Sequence, residues 1–224
     1  MIEIVSATRL SARDFWARSA LGQSLTRLTQ DPRIRARLAF RNRKGLPEVY
    51  NARIMAADSA DALVFMHDDV WIDDPSLVDQ VLAGLALYDV IGVVGNKRRL
   101  PFQPAWAFSD PLFNWDADTH LSGAIGHGQQ ARGEVTTFGQ TPADCELLDG
   151  VFIAARKQAL KAQGVAFDQR FQFHLYDVDF CRSARQKGLS VGTWPISLTH
   201  QSEGAFGSPS WNEQYRTYLE KWGD

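Results

Sequence analysis

The chain has 224 residues, 45% of them hydrophobic and 22% charged, and a formal charge of -2. That length suits one substantial core and is short for two, and the near-balanced charge gives no reason to expect nucleic acid as a partner. Two cysteines, Cys145 and Cys181, lack C-x-x-C spacing, which argues against a disulfide scaffold and for a reducing cytoplasm.

Met1-Ile2-Glu3-Ile4-Val5-Ser6 lacks the charged and long apolar regions of a secretory signal. No run approaches the roughly 18 apolar residues that a spanning helix needs. The expectation is a cytoplasmic protein, with peripheral contact at the inner face of a membrane still compatible. Ile2 to Thr8 reads as a first strand. Asp14 to Leu28 places Phe15, Leu21, Leu25 and Leu28 at helical spacing. Arg37 to Arg41 suits a second strand, and Gly45-Leu46-Pro47 opens a helix running to Ala57. Ala62 to Met66 is a compact apolar run of the kind a buried strand shows. Pro75 and Ser76 open a helix through Tyr88, and Val90 to Gly95 is another buried strand. This βαβαβαβ order argues for a largely parallel sheet covered by helices on both faces.

From Asn96 to Gly139 the periodicity dissolves into Pro, Gly, Trp and His, and the stretch reads as functional loops with a short strand near Glu134 to Phe138. Regular structure resumes over Glu146 to Ala155, in a helix from Asp177 to Lys187, a strand from Leu189 to Trp194, and a last helix near Trp211 to Trp222.

Two clusters carry chemistry. His67-Asp68-Asp69 stands where the apolar strand ends, and ligands of α/β sheets collect at the carboxyl ends of strands. In extended geometry His67 and Asp69 share one side and Asp68 faces the other. A carboxylate and an imidazole converging there suit Mn²⁺ or Mg²⁺ on a diphosphate, although the same acids, with Asp73 and Asp74 beside them, suit an ordinary acidic loop. Asp177 opens a helix, where an acid serves either as a cap or as a general base accepting a proton from an alcohol. Arg33, Arg35, Arg37, Arg41, Arg43 and Lys44 form a basic stretch that reads first as a solvated strand face. Trp106, Phe108, Phe113 and Trp115 suit either a sugar-stacking platform or the anchor of a long loop.

The order strand–His67-Asp68-Asp69, then Leu148-Asp149-Gly150-Val151-Phe152-Ile153-Ala154, then Asp177-Val178-Asp179-Phe180-Cys181-Arg182 before Lys187-Gly188, resembles family 2 glycosyltransferases. Within them it is most similar to a branch resembling a streptomycin-biosynthesis glycosyltransferase-like domain. The resemblance runs over about Ile2 to Gly204 and is weakest between Asn96 and Gly139.

It implies an α/β, Rossmann-like GT-A fold with a mostly parallel central sheet and helices on both faces. One domain would span 1–224, with a nucleotide-binding half at 1–95 and an acceptor half at 96–224 holding the variable loop 96–139. Asp69 takes the place of the usual metal ligand and His200 completes the site. His67 stands where relatives carry Asp, so direct ligand, ribose contact and support of a ligand all stay open. Asp177 inherits the role of base, with Tyr176 in place of the usual Glu. Thr8, Arg9, Asn42, Asn51 and Asp68 fall at nucleotide-binding positions, and Asp149 falls near the acceptor hydroxyl. Trp115 is the aromatic candidate on the acceptor side. The implied reaction moves a sugar from a UDP, dTDP or GDP donor, with Mn²⁺ or Mg²⁺ and inversion, to a glycan, lipid-linked or small-molecule acceptor.

Two rivals share the fold. A sugar-1-phosphate nucleotidyltransferase needs a glycine-rich phosphate loop after the first strand, and Ser6-Ala7-Thr8-Arg9-Leu10-Ser11 has no glycine. A non-catalytic nucleotide-sugar or glycan-binding module would have no need of both Asp69 and Asp177.

Overall fold

The computed structural model describes residues 1–202 and 204–224. The chain opens with β1 (Ile2–Ala7), α1 (Ala12–Arg18), α2 (Ala20–Arg27), β2 (Ile34–Ala39), α3 (Leu46–Met55) and β3 (Ala62–Met66). β1 pairs in parallel with β2 on one side and β3 on the other, and β3 is buried along its whole length.

The helix expected from Asp14 to Leu28 is two helices. Ser19 sits between them in extended backbone, its hydroxyl donating to the Phe15 carbonyl and accepting from the Gly22 N–H. It thus closes α1 and caps α2. Gly22 makes the junction possible, since a Cβ there would lie 2.2 Å from the Phe15 carbonyl oxygen. β2 begins at Ile34, before the expected Arg37, because the alternation already starts there. Its arginines are ion-paired: Arg33 with Asp31 and Asp79, Arg35 with Glu3, and Arg37 with Asp58. Arg33, Arg35 and Arg37 of the basic stretch are thus already matched with acids.

β4 (Val70–Ile72), α4 (Leu77–Leu87), β5 (Val90–Gly92) and β6 (Val94–Asn96) follow. The single strand expected from Val90 to Gly95 is split at Val93, because its two halves join different sheets. Next come β7 (Leu121–His127), β8 (Glu134–Gly139), β9 (Ala143–Asp144), β10 (Leu147–Leu148), β11 (Phe152–Arg156) and α5 (Lys157–Gln163). α6 (Tyr176–Gln186), β12 (Val191–Thr193), β13 (Leu198–His200) and α7 (Pro209–Trp222) complete the chain.

The first sheet has the order β2-β1-β3-β11-β5-β12-β9 and the second β10-β6-β7-β13-β4, with β8 on β7. The fold is α/β, but the expected parallel sheet is mixed. In the first sheet β11 inserts antiparallel between β3 and β5, and β12 then resumes parallel pairing, on β5. An antiparallel neighbour needs no crossover helix, so a pattern of alternating strands and helices does not reveal it. α3 touches β1, β3 and α5; α4 touches β1, β3, β5 and β11. One apolar cluster runs from Ile2 to Tyr218 through both sheets. Among the described residues, no helix is long and apolar enough to cross a membrane.

Candidate functional site

β3 lies between β1 and β11, and its carboxyl end delivers His67, Asp68 and Asp69 to a cavity of about 720 Å3. The backbone fastens this segment on three sides. The His67 N–H donates to Val151, the Leu21 N–H donates to the Asp68 carbonyl, and the Gln201 N–H donates to the Asp69 carbonyl. β13 then runs antiparallel to β4 with His200 opposite Val70, which sets its imidazole beside Asp69. His200 Nε2 is 3.3 Å from Asp69 Oδ2, and His67 Nδ1 is 3.9 Å from Asp69 Oδ1.

Burial opposes charge on Asp69, yet the His200 and His67 imidazoles prevail and hold its carboxyl down at about 2. Burial likewise works against charged His200, and Asp69 outweighs it, so the His200 pKa is raised. His67 has its pKa lowered, first by burial. Among the described residues, Asp69 Oδ1 is a buried oxygen without a hydrogen-bond partner, at the centre of a His-Asp-His set whose ligand atoms lie within 4.8 Å of one another. An orphaned carboxylate oxygen between two imidazoles is the environment a divalent ion would satisfy, so these residues fit one.

Tyr176 settles the tautomer of His67. Its hydroxyl donates to the Gly150 carbonyl at 2.8 Å and lies 2.8 Å from His67 Nε2. One hydroxyl has one proton, so Nε2–H must be the donor to Tyr176, which leaves the Nδ1 lone pair on the Asp69 side. Phe173 stacks on the His67 ring from outside, at 5.7 Å and 21°.

Asp177 lies in the first turn of α6, but the N-cap residue is Leu175, at φ 60°, and no side chain caps the helix. Asp177 Oδ2 instead accepts the Gly150 N–H at 2.9 Å. Burial first, and then the neighbouring Asp149, push its carboxyl up to about 7. Gly150 is required in this corner, because a Cβ there would lie 2.3 Å from the Tyr176 hydroxyl and 3.0 Å from Asp177 Cβ. Asp149 accepts from the Val151 N–H and from the Trp106 indole N–H. Trp106 is itself held by Asn96, which binds its carbonyl and Asp116 together.

The cavity is therefore lined by Asp68, Asp69, His67, His200, Asp149, Asp177 and Trp115 from the sequence-based candidates. The others lie outside its lining. Thr8 is buried beneath Asp68, whose carboxyl burial raises and the Thr8 hydroxyl partly lowers. Arg9 is exposed at the end of β1. Two of the residues expected at nucleotide-binding positions, Asn42 and Asn51, have their side-chain amides engaged elsewhere. Asn42 spends its side-chain amide on Lys44, donating to its carbonyl and accepting its N–H. Asn51 does the same with Phe167 and faces a separate cavity beside Arg53 and Gln169. Both amides stabilise loops instead of reaching the cleft. Trp106 and Tyr176, which no motif singles out for these roles, hold Asp149 and His67 in place.

The profile of the family described as "Glycosyltransferase like family" matches residues 27–209. No curated protein matches by sequence. Among solved structures, the catalytic domain of Drosophila β1,4-galactosyltransferase 7 in complex with xylobiose is similar at TM-score 0.52 and 11% identity, over 96% of this chain and 79% of that one. A mutant of that enzyme with manganese, UDP-Gal and xylobiose gives TM-score 0.51 at 11% identity, over 96% and 80%. GalNAc-T7 with UDP, GalNAc and Mn²⁺ gives TM-score 0.55 at 12% identity, over 100% of this chain and 48% of that one. At such identities the likeness is one of fold, and the fold is GT-A.

Proposed function

The chain belongs to the glycosyltransferase-like family, and on that premise we propose that it transfers a sugar from a nucleoside diphosphate donor to an acceptor hydroxyl with inversion, aided by a divalent metal. Within the family we place it near the streptomycin-biosynthesis branch, on the order of its motifs. The observation that carries the proposal is the meeting of His67, Asp69 and His200 with the Asp149–Asp177 pair in one cavity. Structural neighbours crystallised with Mn²⁺ and UDP or UDP-Gal support the choice of donor and metal.

Asp69, His200 and His67 through Nδ1 would hold Mn²⁺ or Mg²⁺, whose charge would offset that of the donor diphosphate. Residues 1–95 serve the donor, with Asp68 at the nucleotide side and Thr8 and Arg9 at the end of β1. Residues 96–224 serve the acceptor, with Asp149 and Trp115 facing it. The Asp177 carboxylate, oriented by the Gly150 N–H, takes the acceptor proton. The acceptor oxygen then bonds to the anomeric carbon as its bond to the diphosphate oxygen breaks, and the diphosphate leaves with the electron pair.

Calorimetry of UDP, dTDP and GDP with Mn²⁺ and in EDTA tests the reading. Diphosphate should bind at least tenfold tighter with Mn²⁺, and Asp69→Ala should abolish that gain. Equal affinity in EDTA and Mn²⁺ would remove the metal from the proposal.

A further inference from the structure

The cavity that gathers carboxylates and imidazoles at one end is walled by aromatic rings at the other. Trp106, Phe108, Trp115, Phe138, Phe206 and Trp211 line this wall. It begins one side chain from the catalytic carboxylates, because the Trp106 indole is hydrogen-bonded to Asp149.

Trp115 lies nearly flat on Phe138, with centroids 5.7 Å apart and planes 9° apart, and is still 59% exposed. Trp106 and Phe108 stand almost perpendicular to it, at 86° and 69°, with centroids at 6.5 Å and 5.5 Å. Both are buried, so their positions are set by packing. An aromatic ring carries a negative face and a positive edge, and a corner made of faces and edges attracts a further ring in the same two ways. An aliphatic chain has neither feature, and a sugar stacked on Trp115 would use only a face. The volume, about 720 Å3 for donor and acceptor together, lies within the range of small-molecule sites, roughly 300–1,000 Å3.

Resting on the transferase reading, the geometry points to an acceptor that carries an aromatic ring beside its reacting hydroxyl, the ring seated against Trp115 and the hydroxyl directed at Asp177. Trp115 is then the specificity-determining residue for the acceptor, and the apolar wall selects an aryl small molecule over a plain saccharide.

Phenyl, cyclohexyl and methyl β-glucoside, titrated into the protein loaded with UDP and Mn²⁺, separate the ring from mere apolar bulk. Phenyl glucoside should bind tightest, roughly three- to tenfold better than cyclohexyl by the usual worth of an aromatic pair, and methyl weakest. Trp115→Ala should bring phenyl down to the cyclohexyl value and Trp115→Tyr should restore the preference, with melting temperatures confirming that both variants fold. Equal affinity for phenyl and cyclohexyl glucoside, or no binding of the phenyl compound, overturns the inference. Failure of UDP and Mn²⁺ to raise the melting temperature of the parent protein would instead refute the donor reading, and the inference with it.

Discussion

Tyr176 opens α6, and its hydroxyl joins the two halves of the site by bridging His67 and the Gly150 carbonyl. Removing that hydroxyl frees His67 to rotate and to change tautomer while the fold keeps its aromatic ring. Tyr176→Phe should therefore weaken Mn²⁺-linked UDP binding by about 10- to 100-fold, as loss of a ligand's supporting hydrogen bond does elsewhere; titrating UDP with and without Mn²⁺ reads this out. Asp177 has a second signature in pH. On the proposal that Asp177 is the base, its carboxyl, pushed up to about 7, is protonated below that pH, so transfer should fall about tenfold per pH unit on the acid side. The same shift bears on stability with a definite sign. Between about pH 4 and 7 the folded chain keeps a proton that the unfolded chain has released, so this residue makes stability fall as pH rises through that window. Asp177→Asn should lose transfer by roughly 10²–10⁴-fold, yet melt a few degrees above the parent at pH 8 and level with it at pH 4. Near-parental transfer by the Asn variant would take Asp177 out of the mechanism.

Among the elements, α6 presents Asp177 to the site and is tied to α7 from behind. Asp179, fully buried, accepts from the Trp222 indole and pairs with Lys221 at 2.6 Å. Burial raises its carboxyl above the usual value despite Lys221, so the charge is already costly there. Lys221→Met would strand the carboxylate, and removing one partner of a buried pair costs about 3–5 kcal/mol. The expected result is a much lower midpoint in denaturant at pH 7, a smaller loss at pH 5 because burial raises the Asp179 carboxyl and acid relieves its stranded charge, and partial recovery in the Asp179→Asn, Lys221→Met double variant. A loss of the same size at both pH values would mean that packing, not charge, sets the cost. The helical spacing places Asp179 away from Asp177 on α6, but only α7 folding back reveals what Asp179 is for.

At the scale of the whole molecule, the donor reading has a thermal consequence. A ligand at a hundred times its dissociation constant adds about 2.7 kcal/mol to stability, which for a chain of this size raises the melting temperature by roughly 5–10 °C. UDP with Mn²⁺ should do so for the parent, and Asp69→Ala should lose most of the rise. The sequence by itself determined the α/β class, β3 and the acids at its end, and α6 with Asp177 in its first turn. These follow from apolar runs, from helical spacing and from the order of short motifs, all of which are local. It also brought out His200, through family order alone. Only the tertiary structure decided that β13 lies against β4 in the register that sets His200 beside Asp69. The same holds for β11 entering antiparallel, for the Asn51 amide being spent on the Phe167 backbone, and for the Trp106 indole holding Asp149. Each of these depends on a partner chosen by packing, and hydrogen bonds between distant segments leave no periodic trace in the chain that makes them.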